Sequence, residues 1–148
     1  MVAEAAKLVE LNPEDAARLL AQSADEEWLV QLQRSLDREL AHIDLDRILA
    51  VWNLSQAETA VLFNVSRQAV GKWLSRGVPA DRVEAVSDLA AATDLLSRHL
   101  KRDRIPAVVR RPSSELGGRS LLDLVAEGRT REVLDGCRRM FRFADAHG

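Results

Sequence analysis

The stretch LSQAETAVLFNVSRQAVGKWLS, Leu54 to Ser75, reads as two short helices crossing at a tight turn. Ala60 supplies a small side chain where two such helices approach most closely. Asn64 falls at the turn, where the backbone must visit the left-handed region; after Gly, Asn tolerates that region best. Val65 packs the corner, and Ser66 stands where a cap for the second helix is needed. Val70 and Trp73, three apart, face the core.

This pattern resembles the Xre/Cro-type helix-turn-helix, including the Leu-Ser-Gln start at Leu54–Gln56. It departs in carrying Asn64 where Gly is usual and Gly71 inside the second helix. The resemblance implies that the exposed N-terminal face of the second helix enters the DNA major groove. The DNA-binding residues expected on that reading are Gln56, Ser66, Arg67, Gln68, Gly71 and Lys72. Arg67 can fork onto guanine, and Gln68 can pair bidentately with adenine. Gln56, at the start of the first helix, is placed to meet a phosphate beside the helix N-terminus. Arg76 reads as a cation complementing the dipole at the C-terminal end. Gly71 costs about 1 kcal/mol relative to Ala in a helix interior. Either something approaches the backbone closely there or the position is untuned.

Outward from the motif, helical signals continue on both sides. Asn12-Pro13-Glu14-Asp15 is an N-cap, a proline at the first helical position and two acids at the positive end of the dipole. Ser23 to Glu26 has capping-box spacing and predicts a helix with Trp28, Leu29, Leu32, Leu36 and Leu40 on one stripe. A separate helix is expected over Asp44–Asn53, with Leu45, Ile48, Leu49 and Trp52 inward. After Pro79 a long helix is expected over Asp81–Leu100, with Val83, Val86, Ala90, Thr93, Leu96 and Leu100 inward. Lys101–Arg104 is a charged exit, and Pro106 opens an Arg-rich region broken by Pro112 and Gly117-Gly118. Ser120 and Asp123 read as the cap of a short helix ending near Gly128. A last helix over Thr130–Phe143 places Val133, Leu134, Cys137, Met140, Phe141 and Ala144 on one stripe.

The fold class expected is therefore all-α. The expected divisions are an N-terminal helical arm over 1–41, a helix-turn-helix domain over 42–100 and a small helical domain over 101–148.

Composition closes off other classes. The one cysteine, Cys137, leaves no internal disulfide and no Cys-rich zinc site, and as part of an apolar stripe it reads as a buried inert thiol. His42, His99 and His147 lack metal-ligand spacing, so neither metal nor cofactor is expected. The first ten residues carry Glu4, Lys7 and Glu10, which excludes a signal peptide at that position, and no apolar run is long enough to span a bilayer. The chain reads as cytoplasmic. No nucleophile, base and orienting group share a recognisable spacing, and no glycine-rich phosphate loop follows a strand, so no enzyme is expected. Net charge is −2 but uneven: residues 1–50 hold 11 acids and 5 bases (−6), 51–98 hold 5 and 5, and 99–148 hold 7 and 11 (+4). Such a chain meets DNA through a local patch, and a homodimer is expected to double it.

The C-terminal region carries a second resemblance. Pro106–Arg111, then Leu116-Gly117-Gly118-Arg119-Ser120-Leu121-Leu122-Asp123-Leu124-Val125, Gly128 and Val133-Leu134 resemble the toxin-binding domain of the Xre/MbcA/ParS antitoxins. With the upstream motif, the resemblance covers about 43–143. This chain has Ser120-Leu121 where that family usually has Thr-Pro. The resemblance implies an antitoxin that binds a RES-domain, NAD-consuming toxin with its C-terminal segment and represses its own operon. Toxin contacts are then expected at Arg138, Arg139, Phe141, Arg142, Phe143, Asp145 and Gly148, in a tail expected to be mobile when alone. The alternative is a stand-alone dimeric helix-turn-helix regulator with no toxin partner.

Overall fold

Regular structure in this chain is helical. The computed structural model describes the backbone of residues 2–147 and the side chains of residues 6–142. Among the described residues there are nine α-helices and three 3₁₀ turns, with no strand beyond an isolated bridge between Ser113 and Arg119. The protein is all-α. No helix among the described residues is long and apolar enough to cross a membrane.

Two compact units form, Met1–Asp37 and Arg38–Gly148. The first contains α1 (Val2–Glu10), α2 (Pro13–Ser23) and the beginning of α3 (Glu26–Trp52). Asn12 caps α2 as its sequence predicts, its Oδ1 accepting from Asp15 N at 2.8 Å. α1 lies upstream of the first start signal that the sequence makes legible. Ser23 closes α2 instead of opening the next helix, and Asp25 takes the capping role, its Oδ1 accepting from Trp28 N at 2.8 Å. None of the side chains described in residues 6–37 is buried.

The two helices expected on either side of residue 42 are one continuous α3, because neither Gly nor Pro interrupts 26–52. Its last three turns enter the core of the second unit through Ala41, Leu45, Ile48, Leu49 and Trp52. There follow α4 (Gln56–Phe63), α5 (Arg67–Arg76), a 3₁₀ turn Ala80–Arg82 and α6 (Val83–His99). A second 3₁₀ turn, Arg102–Arg104, leads into α7 (Ile105–Arg110), where the sequence reading placed no helix; Pro106 sits in its first turn, where a missing N–H costs nothing. The 3₁₀ turn Ser114–Leu116, α8 (Leu121–Ala126) and α9 (Thr130–His147) complete the chain. Ser120 and Asp123 make the expected reciprocal cap of α8 at 2.9 and 3.0 Å. α9 runs beyond Phe143, where the last helix was expected to end.

The second unit has one core. Val86, Leu89, Ala92 and Leu96 of α6 share it with Val133, Leu134, Cys137 and Phe141 of α9 and with Trp52, Phe63 and Trp73. Met140 is 40% exposed, at the edge of the stripe rather than inside it, and the side chain of Ala144 lies outside the described residues. Polar groups in this core are satisfied. Trp52 Nε1 donates to Thr93 Oγ1 at 2.9 Å, and that hydroxyl donates to Leu89 O at 2.7 Å. Asp88, 7% exposed, accepts from the Thr130 hydroxyl at 3.2 Å and from Arg131 at 3.4 Å, which pins the N-terminus of α9 to α6. Burial pushes the Cys137 thiol up to about 12.

Candidate functional site

The α4–α5 pair is built from its caps inward. Ser55 and Glu58 form a complete capping box, Glu58 N donating to Ser55 Oγ at 3.0 Å and Ser55 N to the Glu58 carboxylate at 2.9 Å. Asn64 takes the left-handed conformation (φ 54°, ψ 48°) that the turn requires, and Val65 N donates back to Ala60 O at 3.0 Å. Ser66 Oγ then accepts from Ala69 N at 3.0 Å and starts α5.

Packing fixes which way α5 faces. Val70 is fully buried, and Trp73 meets Phe63 edge to face at 5.7 Å, joining the two helices across the turn. Arg82 covers the Trp73 ring and donates to Phe63 O at 3.3 Å. At the far end of α5 a ring nitrogen of His42 lies 3.0 Å from Trp73 O, and Arg38 donates to Val78 O at 3.0 Å. The C-terminal half of α5 is thus tied to α3 and the start of α6, and its N-terminal outer face is left open.

That open face holds the residues singled out from sequence. Gln56, Ser66, Arg67, Gln68 and Lys72 are all exposed, and Gly71 is partly exposed. Among the described residues no carboxylate pairs with Arg67 or Lys72. Gln56 leans onto the same face: a methyl built at Gly71 would meet its Oε1 at 3.7 Å, an ordinary contact. Geometry therefore brings together one side chain from the first helix turn of α4 and the first two turns of α5. The arrangement presents a forked cation, two amides, a hydroxyl and an ammonium on one exposed face.

The second expected set is divided by the structure. Arg138 is exposed and pairs with Asp135 at 3.4 Å, while Arg139 and Arg142 are exposed. Phe141 is 6% exposed and stacks on His99 at 4.4 Å, so its ring belongs to the chain's own core. The side chains of Phe143 and Asp145, and the whole of Gly148, lie outside the described residues.

Sequence reasoning missed the residues that hold the α4–α5 pair in place. Arg110 is the clearest: its guanidinium donates to Trp52 O at 2.8 Å and Asn53 O at 2.9 Å, and it lies 3.9 Å from the Glu58 carboxylate. It ties α7 to the end of α3 and the N-terminus of α4. Arg82, His42 and Arg38 act in the same way elsewhere. Their partners are 19 to 58 positions distant, so no local spacing marks them.

No protein-family model and no curated protein matches the chain. Its fold is similar to that of a chain in the crystal structure of the M. tuberculosis MbcT–MbcA toxin–antitoxin complex. The TM-score is 0.55 and the identity 24%, over 67% of this chain and 91% of that one.

Proposed function

We propose that this chain is the antitoxin of a type II toxin–antitoxin pair, with α4–α5 as its operator-binding element and the end of α9 as its toxin-binding element. The observation that carries the reading is the fold shared with a chain of a toxin–antitoxin complex, of which 91% is covered. The sequence resemblance to the Xre/MbcA/ParS antitoxins points to the same class and adds the toxin type, a RES-domain enzyme that consumes NAD. The antitoxin needs no cofactor or catalysis of its own.

Repression acts through Arg67, Gln68 and Lys72 in the major groove, with Gln56 and Ser66 on the flanking backbone. One copy offers Arg67, Lys72 and Arg76 against Glu58 over 54–78, a small charge for a polyanion. A homodimer presenting two α5 helices about 34–36 Å apart meets that need, on inverted half-sites. Neutralisation acts through Arg138, Arg139 and Arg142 on the outer side of α9, followed by Phe143, Asp145 and Gly148. Phe141 supports this surface from within. An NAD-consuming toxin must offer cations to a pyrophosphate, and Asp145 is the acid that this reading assigns to occupy them.

The test is co-expression with the adjacent reading frame. The expected result is a co-purifying toxin, rescue of growth by the full chain, and weaker rescue after deletion of residues 144–148 with circular dichroism and operator affinity unchanged. Operator binding with no protein partner would replace this reading by that of a stand-alone regulator.

A further inference from the structure

Two groups stand out among the cations of the C-terminal half. Arg110, Arg119, Arg129, Arg131 and Arg138 each face a carboxylate of the chain itself. Lys101, Arg102, Arg104 and Arg111 are exposed, and no side-chain hydrogen bond or ion pair engages them among the described residues. Within 101–111 one acid, Asp103, stands against five basic residues.

Their placement is specific. Ile105 and Val109 are fully buried and fix the inner face of α7. At 100° per residue, Arg104, Ala107 and Arg111 then lie together on the outer face, with exposed Ala107 leaving low relief between the two arginines. α7 is held against the α3–α4 junction by Arg110, whose guanidinium reaches Trp52 O and Asn53 O, just before the Ser55 cap. The C-terminal end of α7, with Arg111, therefore flanks the N-terminus of α4, where the first helix of a helix-turn-helix meets the DNA backbone, and Arg104 lies one short helix further on. Arg110 also sits beside Glu58, the one acid of that turn, and offsets a charge that would repel a phosphate. Six residues of helix span about 9 Å, between two and three phosphate steps along one strand.

We propose that the outer face of the Arg102–Arg104 turn and α7, carrying Lys101, Arg102, Arg104 and Arg111, is a second contact for the phosphate backbone of duplex DNA, beside the one at α4–α5. The proposal rests on the reading of α4–α5 as a DNA-binding element. It supplies sequence-independent affinity and explains how a chain of net charge −2 holds a polyanion. Unpaired arginine and lysine on an exposed face suit phosphate oxygens, and nothing in their arrangement reads a base.

The test compares the full chain with an Arg104→Ala/Arg111→Ala variant and an Arg104→Lys/Arg111→Lys variant. The probes are a duplex made from the DNA immediately upstream of the chain's own coding sequence and a scrambled duplex, titrated from 50 to 200 mM salt. Losing two phosphate contacts lowers the slope of log affinity against log salt by about 1.8, so the alanine variant's deficit shrinks about 12-fold across that range. The deficit should be equal on both duplexes and largely absent in the lysine variant, with melting curves unchanged. If the full chain binds neither duplex, the α4–α5 reading fails and takes this proposal with it. If the chain binds, with Arg67 required, but the alanine variant keeps the full salt slope, only this proposal is overturned. Unchanged DNA binding with lost capture of the adjacent toxin would overturn it in favour of a protein surface.

Discussion

Gly71→Ala is the substitution whose two effects should part company. Gly71 lies in the interior of α5, and its φ is not positive, so no left-handed conformation obliges a glycine there. A Cβ built on it meets one atom within 4 Å, Gln56 Oε1, at 3.7 Å, and that atom ends a flexible, exposed side chain. No clash opposes the intrinsic preference of about 1 kcal/mol for Ala over Gly in a helix interior. Part of this arises in the unfolded chain, which has less freedom to lose. The expected gain is about 1 kcal/mol, or roughly 3 °C in Tm for a chain of this size. Urea unfolding followed by circular dichroism measures it as a raised midpoint at constant m-value. The methyl also stands on the open face beside Gln56, so on the proposed operator-binding role operator affinity should fall while stability rises. A destabilised Gly71→Ala protein would refute the packing argument. A stabilised one with full affinity would show that nothing approaches this backbone in the complex.

Three further outcomes are expected. Arg67→Ala should cost about 1–3 kcal/mol on the operator and little on a scrambled duplex, while Arg76→Ala lowers both alike; titrations of both duplexes at fixed salt decide it. Asp88→Ala should lower unfolding free energy by about 1.5–3 kcal/mol, because it leaves the 8%-exposed Thr130 without its acceptor and frees the N-terminus of α9; chemical denaturation reads it. For Cys137, burial pushes the thiol up to about 12 from the ordinary 9.0, so its contribution is complete below pH 9 and is lost as pH rises towards 12. Unfolding free energy should therefore fall between pH 9 and 12, by up to about 1.4 kcal/mol per unit, and a Cys137→Ala protein should lack that slope.

What the sequence made legible was local chemistry. Asn12, Ser66 and Ser120 with Asp123 announce helix starts through contacts three residues apart, and each contact is present. Asn64 announces the turn because few other residues accept its φ of 54°. Failures came where the deciding contact is distant or absent. Ser23 has the spacing of a cap, yet Asp25 wins because its carboxylate reaches Trp28 N. α7 has six residues and no side-chain cap, so its identity as a helix depends on burying Ile105 and Val109. Phe141 looks equally apt for a partner's surface and for the core; only the position of His99, 42 residues earlier, assigns it to the core.

The same distinction orders the arginines. A guanidinium has five donors and a fixed charge, so one that is tied to carbonyls or carboxylates is committed to structure, and an untied one is available to a ligand. Arg110 commits to the carbonyls that end α3, and Arg82 to Phe63 O and the Trp73 ring. Arg119 and Arg129 both pair with Glu127, whose carboxyl is held below the usual range, first by the hydrogen bond from Arg119. Composition counts all of these as positive charge, yet Arg110, Arg119 and Arg129 stand beside carboxylates of the chain itself. Arg67, Lys72, Arg104 and Arg111 keep theirs. The charge on offer to a ligand is thus set by which cations the fold has left unpaired, and among the described residues those include Arg67 and Lys72 on the open face of α5, Arg104 and Arg111 on the outer face of α7, and Arg139 and Arg142 on α9. Net charge and isoelectric point are blind to that division, which is why a mildly acidic chain carries basic faces.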